Sequence, residues 1–196
     1  MAALPEVFAR SLRYRSLLRR PAVIRELTQI AEDEPTYGNA SAVCHSGDAL
    51  YAQMIEDISQ ARNRVLCEVY MFLSDETAWR FAKVLAEKAT EGVEVRVIYD
   101  AIGSLDAEEA IFLHLMAQGV EVLEYRPIAP WKERFGVFGR DHRKILVVDD
   151  QVGYLGGFNL GDCWSESASC EEVWRDTHLR LVGPAALDLT VLFAET

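Results

Sequence analysis

His142 and Lys144 lie two residues apart, just ahead of the apolar run Ile145-Leu146-Val147-Val148, and Asn159 follows the glycine pair Gly156-Gly157. These residue types suit a phosphate ester. An imidazole can attack phosphorus, while an ammonium and an amide can donate to the non-bridging oxygens. Bare glycine backbone lets N–H groups approach an anion closely. The apolar run is short and β-branched and reads as a buried strand. Side chains alternate along a strand, so His142 and Lys144 share a face. Asp149 has the opposite parity and reads as a support or turn residue. Asp149-Asp150-Gln151 then connects tightly to a second strand over 152–155, which ends at the glycine pair. The plain alternative is that His142 and Lys144 cap a strand edge and the glycines only make a turn.

The elements that must hold these groups alternate along the chain. Asp48 is the expected N-cap of a helix over 49–62, with Leu50, Met54, Ile58 and Ala61 facing inward. A strand over 64–72 leads to a helix that starts at Ser74-Asp75, turns Trp79, Ala82, Leu85 and Ala86 to one face, and ends near Gly92. A strand over 93–99, a helix over 106–118 closed by Gly119 and a strand over 120–125 follow. Within the irregular segment 126–140, Trp131, Phe135 and Phe138 interleave with Lys132, Arg134 and Arg140. This mixture suits an entrance for acyl chains and phosphate, or else aromatics packed beneath a strand. Pro184 opens a last helical stripe of Leu187, Thr190, Val191 and Ala194, and the sequence reads as cut within that helix. The alternation predicts an α/β fold, a mixed and mostly parallel sheet flanked by helices.

Composition sets further bounds. The chain has 196 residues, half of them hydrophobic, enough for one substantial core. It contains no apolar run of about 18 residues and no secretory leader pattern. Cys44, Cys67, Cys163 and Cys170 are irregularly spaced and demand neither disulfides nor zinc, which fits a reducing compartment. The net charge is −11, yet residues 1–30 sum to +4, leaving −15 for the rest. An acidic body argues against nucleic acid as a partner. Leu4, Phe8, Leu12 and Leu18 fall near one helical face among arginines. Residues 1–35 therefore form either a basic amphipathic segment for an anionic membrane surface, or a solvated or partner-packing helix that Pro21 interrupts. Residues 36–196 carry the alternating elements and the His142–Asn159 stretch.

The pattern H-x-K-x4-D followed by G-G-x-N, with Trp174-Arg175-Asp176 downstream, resembles the phospholipase D superfamily. Glu68-Val69-Tyr70, the stretch 93–100, Gly103-Ser104, the stretch 140–144 and Trp174-Arg175-Asp176-Thr177-His178 are similar to its bacterial cardiolipin synthase branch, across most of 40–196. The resemblance implies His142 as nucleophile, Lys144 and Asn159 as donors, and Asp176 as the acceptor that orients the imidazole. Asp149 joins the catalytic set as the aspartate of the motif. Gly156, Gly157, Glu68 and Arg140 make up the expected substrate-binding set, although a paired carboxylate at a sheet edge is the favoured reading of Glu68. The family carries two such motifs and this chain holds one, so a second half or an identical subunit must supply the acid histidine. The implied activity is phosphatidyl transfer on a phosphatidylglycerol-like lipid through phosphohistidine, peripheral to the cytoplasmic side of a membrane, with no cofactor and no metal. A homodimeric phosphodiesterase or nuclease and an incomplete lipid-binding half-domain remain the alternatives.

Overall fold

A computed structural model describes residues 20–22, 25, 28, 29 and 36–196, apart from 130, 133, 137, 169 and 171. The chain divides into two units, Met1–Tyr37 and Gly38–Thr196. In the first, Arg20 is a bend and Pro21 and Ala22 are helical; the helix that Pro21 was expected to interrupt lies outside the described residues. The apolar face expected from Leu4, Phe8, Leu12 and Leu18 lies outside the described residues.

The second unit runs β1 (Ala40–Cys44), α1 (Gly47–Ser59), β2 (Arg64–Val69), α2 (Glu76–Thr90), β3 (Glu94–Asp100), α3 (Glu109–Ala117), β4 (Glu121–Tyr125), β5 (Ile145–Val148), β6 (Val152–Gly156), a 3-10 turn at Asp162–Trp164, β7 (His178–Val182) and α4 (Ala185–Ala194). Seven strands form one sheet in the order β1-β7-β6-β5-β2-β3-β4. The expected α/β sheet flanked by helices is present, but its balance differs. Only β2–β3 and β3–β4 pair in parallel, and the other four neighbouring pairs are antiparallel. The reason lies in the connections: α2 and α3 carry the parallel crossovers, whereas β5, β6 and β7 follow one another without a crossover helix.

Local chemistry sets the element ends. The Ser46 hydroxyl, not Asp48, caps α1, accepting from Ala49 N at 3.4 Å. Asp48 lies in the first turn and holds the hydroxyls of Ser165 and Ser167. Asp75 caps α2 as expected, and Gly92 and Gly119 close their helices with φ of +89° and +92°. One sheet face carries Val65, Cys67, Val69, Leu146, Val148 and Tyr154 against α1, α2 and α3; the other carries Leu66, Ile98, Ile145 and Val147 against Leu189 and Phe193 of α4. The free thiols, Cys44 and Cys67, fit the expectation, but Cys163 and Cys170 are joined in a disulfide. The 3-10 turn brings back on itself a loop that the sequence spacing gave no reason to pair.

β5 runs antiparallel to β2 and β6. The start of β5 therefore lies beside the C-terminal ends of β2 and β6, together with the start of β7. Asp149 sits at the opposite end of β5. Asp149 and Asp150 both take left-handed backbone, with φ of +52° and +56°. The Asp149 carboxylate accepts from the backbone N–H groups of Arg62 (2.9 Å), Asn63 (2.7 Å) and Arg64 (3.0 Å). Burial alone would raise this carboxyl, but the three donors outweigh it and hold it below the ordinary carboxylate value. Asp149→Ala is expected to lower stability by about 2 kcal/mol, measured by urea unfolding, because three donors lose a charged acceptor. Asp149→Asn should recover part of the loss at neutral pH. An unchanged midpoint for the alanine variant would remove this turn from the supports of the fold.

Candidate active site

The site gathers at the sheet end defined by the close of β2, β3 and β6. Lys144 stands just before β5, and the register Ile145↔Leu155 and Gly156↔His178 sets Lys144, Gly156 and His178 in a row across three strands. The middle position must be small. A Cβ on Gly156 would lie 2.5 Å from Thr177 O and 2.7 Å from the His178 ring. Gly157 is equally constrained, since its Cβ would meet the Asp176 carboxylate at 2.1 Å. The glycine pair thus admits the side chains of the neighbouring strand, a packing reason for glycine beside any contact with an anion.

His142 is exposed and its ring packs on Tyr70, centroids 4.7 Å apart. Lys144 is buried, its ammonium 5.1 Å from the centre of the same Tyr70 ring and donating to the His142 carbonyl at 2.7 Å. Asn159 is also buried. Its Oδ1 accepts from Met71 N at 3.0 Å and its carbonyl accepts from Tyr51 OH at 2.6 Å, which fixes the amide and leaves the amino group as the outward donor. His142, Lys144 and Asn159 are therefore brought together around Tyr70-Met71. Tyr70 was not among the expected site residues; its place two positions beyond Glu68 in a strand gave no chemical signal of its own.

Three expected members are placed differently. Asp149 is remote, as described above. Asp176 lies against Gly157 and accepts from Thr177 N at 2.7 Å. The His142 ring makes no hydrogen bond among the described residues, so the expected orienting bond from Asp176 is not formed. Arg180, two residues beyond His178, pairs with Asp57 at 2.8 Å. Arg140, expected to meet substrate, spends all five of its N–H groups inside the protein. They reach both oxygens of Asp100 (2.9–3.0 Å) and the carbonyls of Tyr125 (3.0 Å), Arg126 (2.8 Å) and Gly136 (2.6 Å). No donor is left for a phosphate, so Arg140 is a clamp and not a ligand-binding residue.

Glu68 is wholly buried, close to Asp141, the residue that precedes His142. Thr196 Oγ1 donates to Glu68 Oε1 at 2.9 Å and the Arg143 guanidinium lies 3.6 Å from the same oxygen. Oε2 of Glu68 and Oδ2 of Asp141 are buried without hydrogen-bond partners among the described residues. Burial, and then a hydrogen bond and charge from Asp141, push Glu68 well above the ordinary carboxylate value, against the pull of Thr196 and Arg143. A protonated Glu68 gives one of these oxygens a donor, which is the physical sense of the shift. Glu68 is thus a buried support of the His142 segment and not a group facing substrate.

His178, read from the sequence as a strand residue, is a buried neighbour of this site. Its Nδ1 accepts from Phe158 N at 3.4 Å, so the neutral ring carries its proton on Nε2, which is buried without a partner among the described residues. Burial, with Lys144 nearby, lowers its pKa to about 4 against the pull of Asp176. Lys144 is likewise lowered, to about 8, by burial, while Asp141, Asp176 and Asp100 oppose the change. Among the described residues no His, Cys, Asp and Glu side chains are grouped to hold a metal ion.

A mixed sheet with an H-x-K pair ahead of one strand and a G-G-x-N turn after the next defines a phospholipase D-type domain. The sequence model of the family "Cardiolipin synthase, PLD-like domain" matches residues 54–183, and the chain belongs to that family. The cardiolipin synthase of Geobacillus thermodenitrificans is 34% identical over 168 residues, 85% of this chain and 33% of that protein. NucT from Helicobacter pylori has the same fold, with a TM-score of 0.62 at 20% identity over 81% of this chain and 95% of its own. The phosphatidylserine synthase of Haemophilus influenzae Rd KW20 follows at TM-score 0.60 and 21% identity, over 79% of this chain and 36% of its own. The chain spans about a third of the length of the curated relatives it matches.

The raised Glu68 carboxyl fixes a pH dependence. The folded chain keeps this proton where the unfolded chain, with an ordinary value of about 4.3, has released it. Its contribution is therefore fully present below about pH 4.3 and is lost as pH rises toward the raised value. Glu68→Gln keeps a neutral side chain of the same shape. It should flatten the decline in urea midpoint with rising pH that wild type shows above about pH 5. A variant whose midpoint declines as steeply as wild type would mean that Glu68 is ionised when folded.

Proposed function

We propose that this chain supplies the phosphohistidine-forming half of a cardiolipin-synthase-like phosphatidyltransferase acting on phosphatidylglycerol-like lipids. The observation that carries this reading is the exposed His142 ring beside a buried ammonium, Lys144, and a fixed amide, Asn159. Family membership supports the same chemistry. A ring nitrogen of His142 attacks phosphorus, forming a P–N bond as the bond to the departing alkoxide breaks. Lys144 and Asn159 donate to the non-bridging oxygens, where charge gathers in the transition state. The alkoxide takes its proton from a second histidine, supplied by another H-x-K half or by an identical subunit. The acceptor hydroxyl then gives its proton to that histidine and attacks phosphorus, and the P–N bond breaks to restore His142. Water in place of the hydroxyl makes the same sequence a hydrolysis.

His142→Ala is expected to abolish release and transfer of the headgroup on phosphatidylglycerol vesicles, a loss of about 10⁴-fold or more. The test compares both proteins at several concentrations. A wild-type rate per chain that climbs with concentration assigns the second histidine to another copy, and turnover that appears only with an added H-x-K half assigns it there. Activity that survives the substitution contradicts the proposal. Lys144 must carry its proton to donate, so kcat/KM should fall as pH rises through about 8. Lys144→Arg, which keeps its charge, should move that fall upward; a limb that stays in place would remove Lys144 as its origin.

A further inference from the structure

We infer that the loop 126–140 is a membrane-docking element that seats the site on an anionic phospholipid surface. The inference rests on the phospholipid reading above and names the surface that delivers the substrate. In the loop, Trp131 is 84% exposed, Phe138 86%, Phe135 45% and Ile128 40%, so its aromatics do not pack beneath a strand. Large aromatics on a loop lose contact with water only by entering another phase or partner. Here they are interleaved with cations. Of the four basic side chains of residues 126–140, Arg126 and Arg140 are held in the loop's neck, while Lys132, in a surface pair with Glu124 at 2.5 Å, and Arg134 face solvent. Trp and Phe beside Arg and Lys suit the boundary between headgroups and acyl chains, where rings enter and cations meet lipid phosphates. Screening confines this attraction to the nearest charges, about 8 Å at physiological salt, so the acidic remainder of the chain does not cancel it.

The loop is also closed and aimed. The Arg140 guanidinium gathers the carbonyls of Tyr125, Arg126 and Gly136 at its neck, Gly136 N donates to Pro127 O at 3.2 Å, and the Arg126 side chain donates to Phe138 O. The exposed side chains therefore stand on a fixed base. That base continues directly into Asp141, whose N–H bonds Asp100 at 3.0 Å, and into His142. Only Asp141 separates Arg140 at the neck from the nucleophile proposed above, so a lipid headgroup at the loop's base meets the site without leaving the bilayer surface.

The test is sedimentation of the whole chain with vesicles of phosphatidylglycerol and phosphatidylcholine, against phosphatidylcholine alone. The expected result is binding to the anionic vesicles that weakens with salt. Trp131→Ala with Phe138→Ala should weaken it about tenfold or more, given the apolar area these rings bury. Both are exposed, and an unchanged thermal transition confirms that the variant folds. Trp131→Phe should still sediment but lose the blue shift in emission that wild type shows on binding. Wild-type binding by the double variant, equal binding to neutral vesicles, or a loss of self-association with vesicle binding intact would each overturn the inference, the last assigning the patch to a protein contact. His142→Ala should bind as wild type. Vesicle binding of this kind without any turnover would leave the docking loop standing and sink the substrate reading instead.

Discussion

The carboxylate of Asp100, wholly buried at the end of β3, is the fixed point on which the site depends. It pairs with Arg140 and accepts the N–H groups of Ile102 and Gly103 through one oxygen and of Asp141 through the other. Those bonds tie the connection leaving β3, the neck of the aromatic loop and the residue before His142 to one strand end. The segment around His142 belongs to no strand or helix, so its position depends on such ties to the sheet, with Glu68 of β2 a second support through Arg143. The pair is strong because it is complete. Removing either partner leaves an unmatched buried charge, a cost of about 3–5 kcal/mol.

Desolvation gives the interior beneath His142 a single character. Glu68 is pushed up, His178 down and Lys144 down, each toward its neutral form and each chiefly by burial. Lys144 alone stays charged at neutral pH, held by the field of Asp141, Asp176 and Asp100. A phosphodiester that reaches His142 would thus meet one buried cation and one fixed amide. In such surroundings an ammonium interacts more strongly with an anion than it does in water. Binding the anion would in turn raise the lysine, so substrate restores the charge that burial weakens.

The chain's own pattern revealed much of this and hid the rest for identifiable reasons. Strand parity was enough to set Asp149 apart from His142, and Asp75, Gly92 and Gly119 marked helix ends through capping and left-handed backbone that are local properties. Ser46 was passed over for Asp48 because both are good caps and only the chain's path chooses between them. The fates of Arg140 and His178 depend on register and on loop closure: Arg140 looks like a phosphate ligand until its neighbours 126 and 136 fold back onto it, and His178 looks like any strand residue until β7 pairs with β6 opposite Gly156. The Cys163–Cys170 disulfide was hidden likewise, since spacing alone does not show that a loop turns back. The majority of antiparallel pairs followed from connections without helices, which the strand pattern does not count.

In the mechanism proposed above, His142 is the nucleophile and the acid for the leaving group comes from a second histidine of another H-x-K half or an identical subunit. A phosphodiester with a p-nitrophenolate leaving group separates the two, because that anion departs without a proton. Rapid mixing of the chain with bis(p-nitrophenyl) phosphate should give a burst approaching one p-nitrophenolate per chain, with an acid-labile phosphoryl adduct mapped to His142. A chain that releases no burst, or that carries its adduct on another residue, would contradict the account.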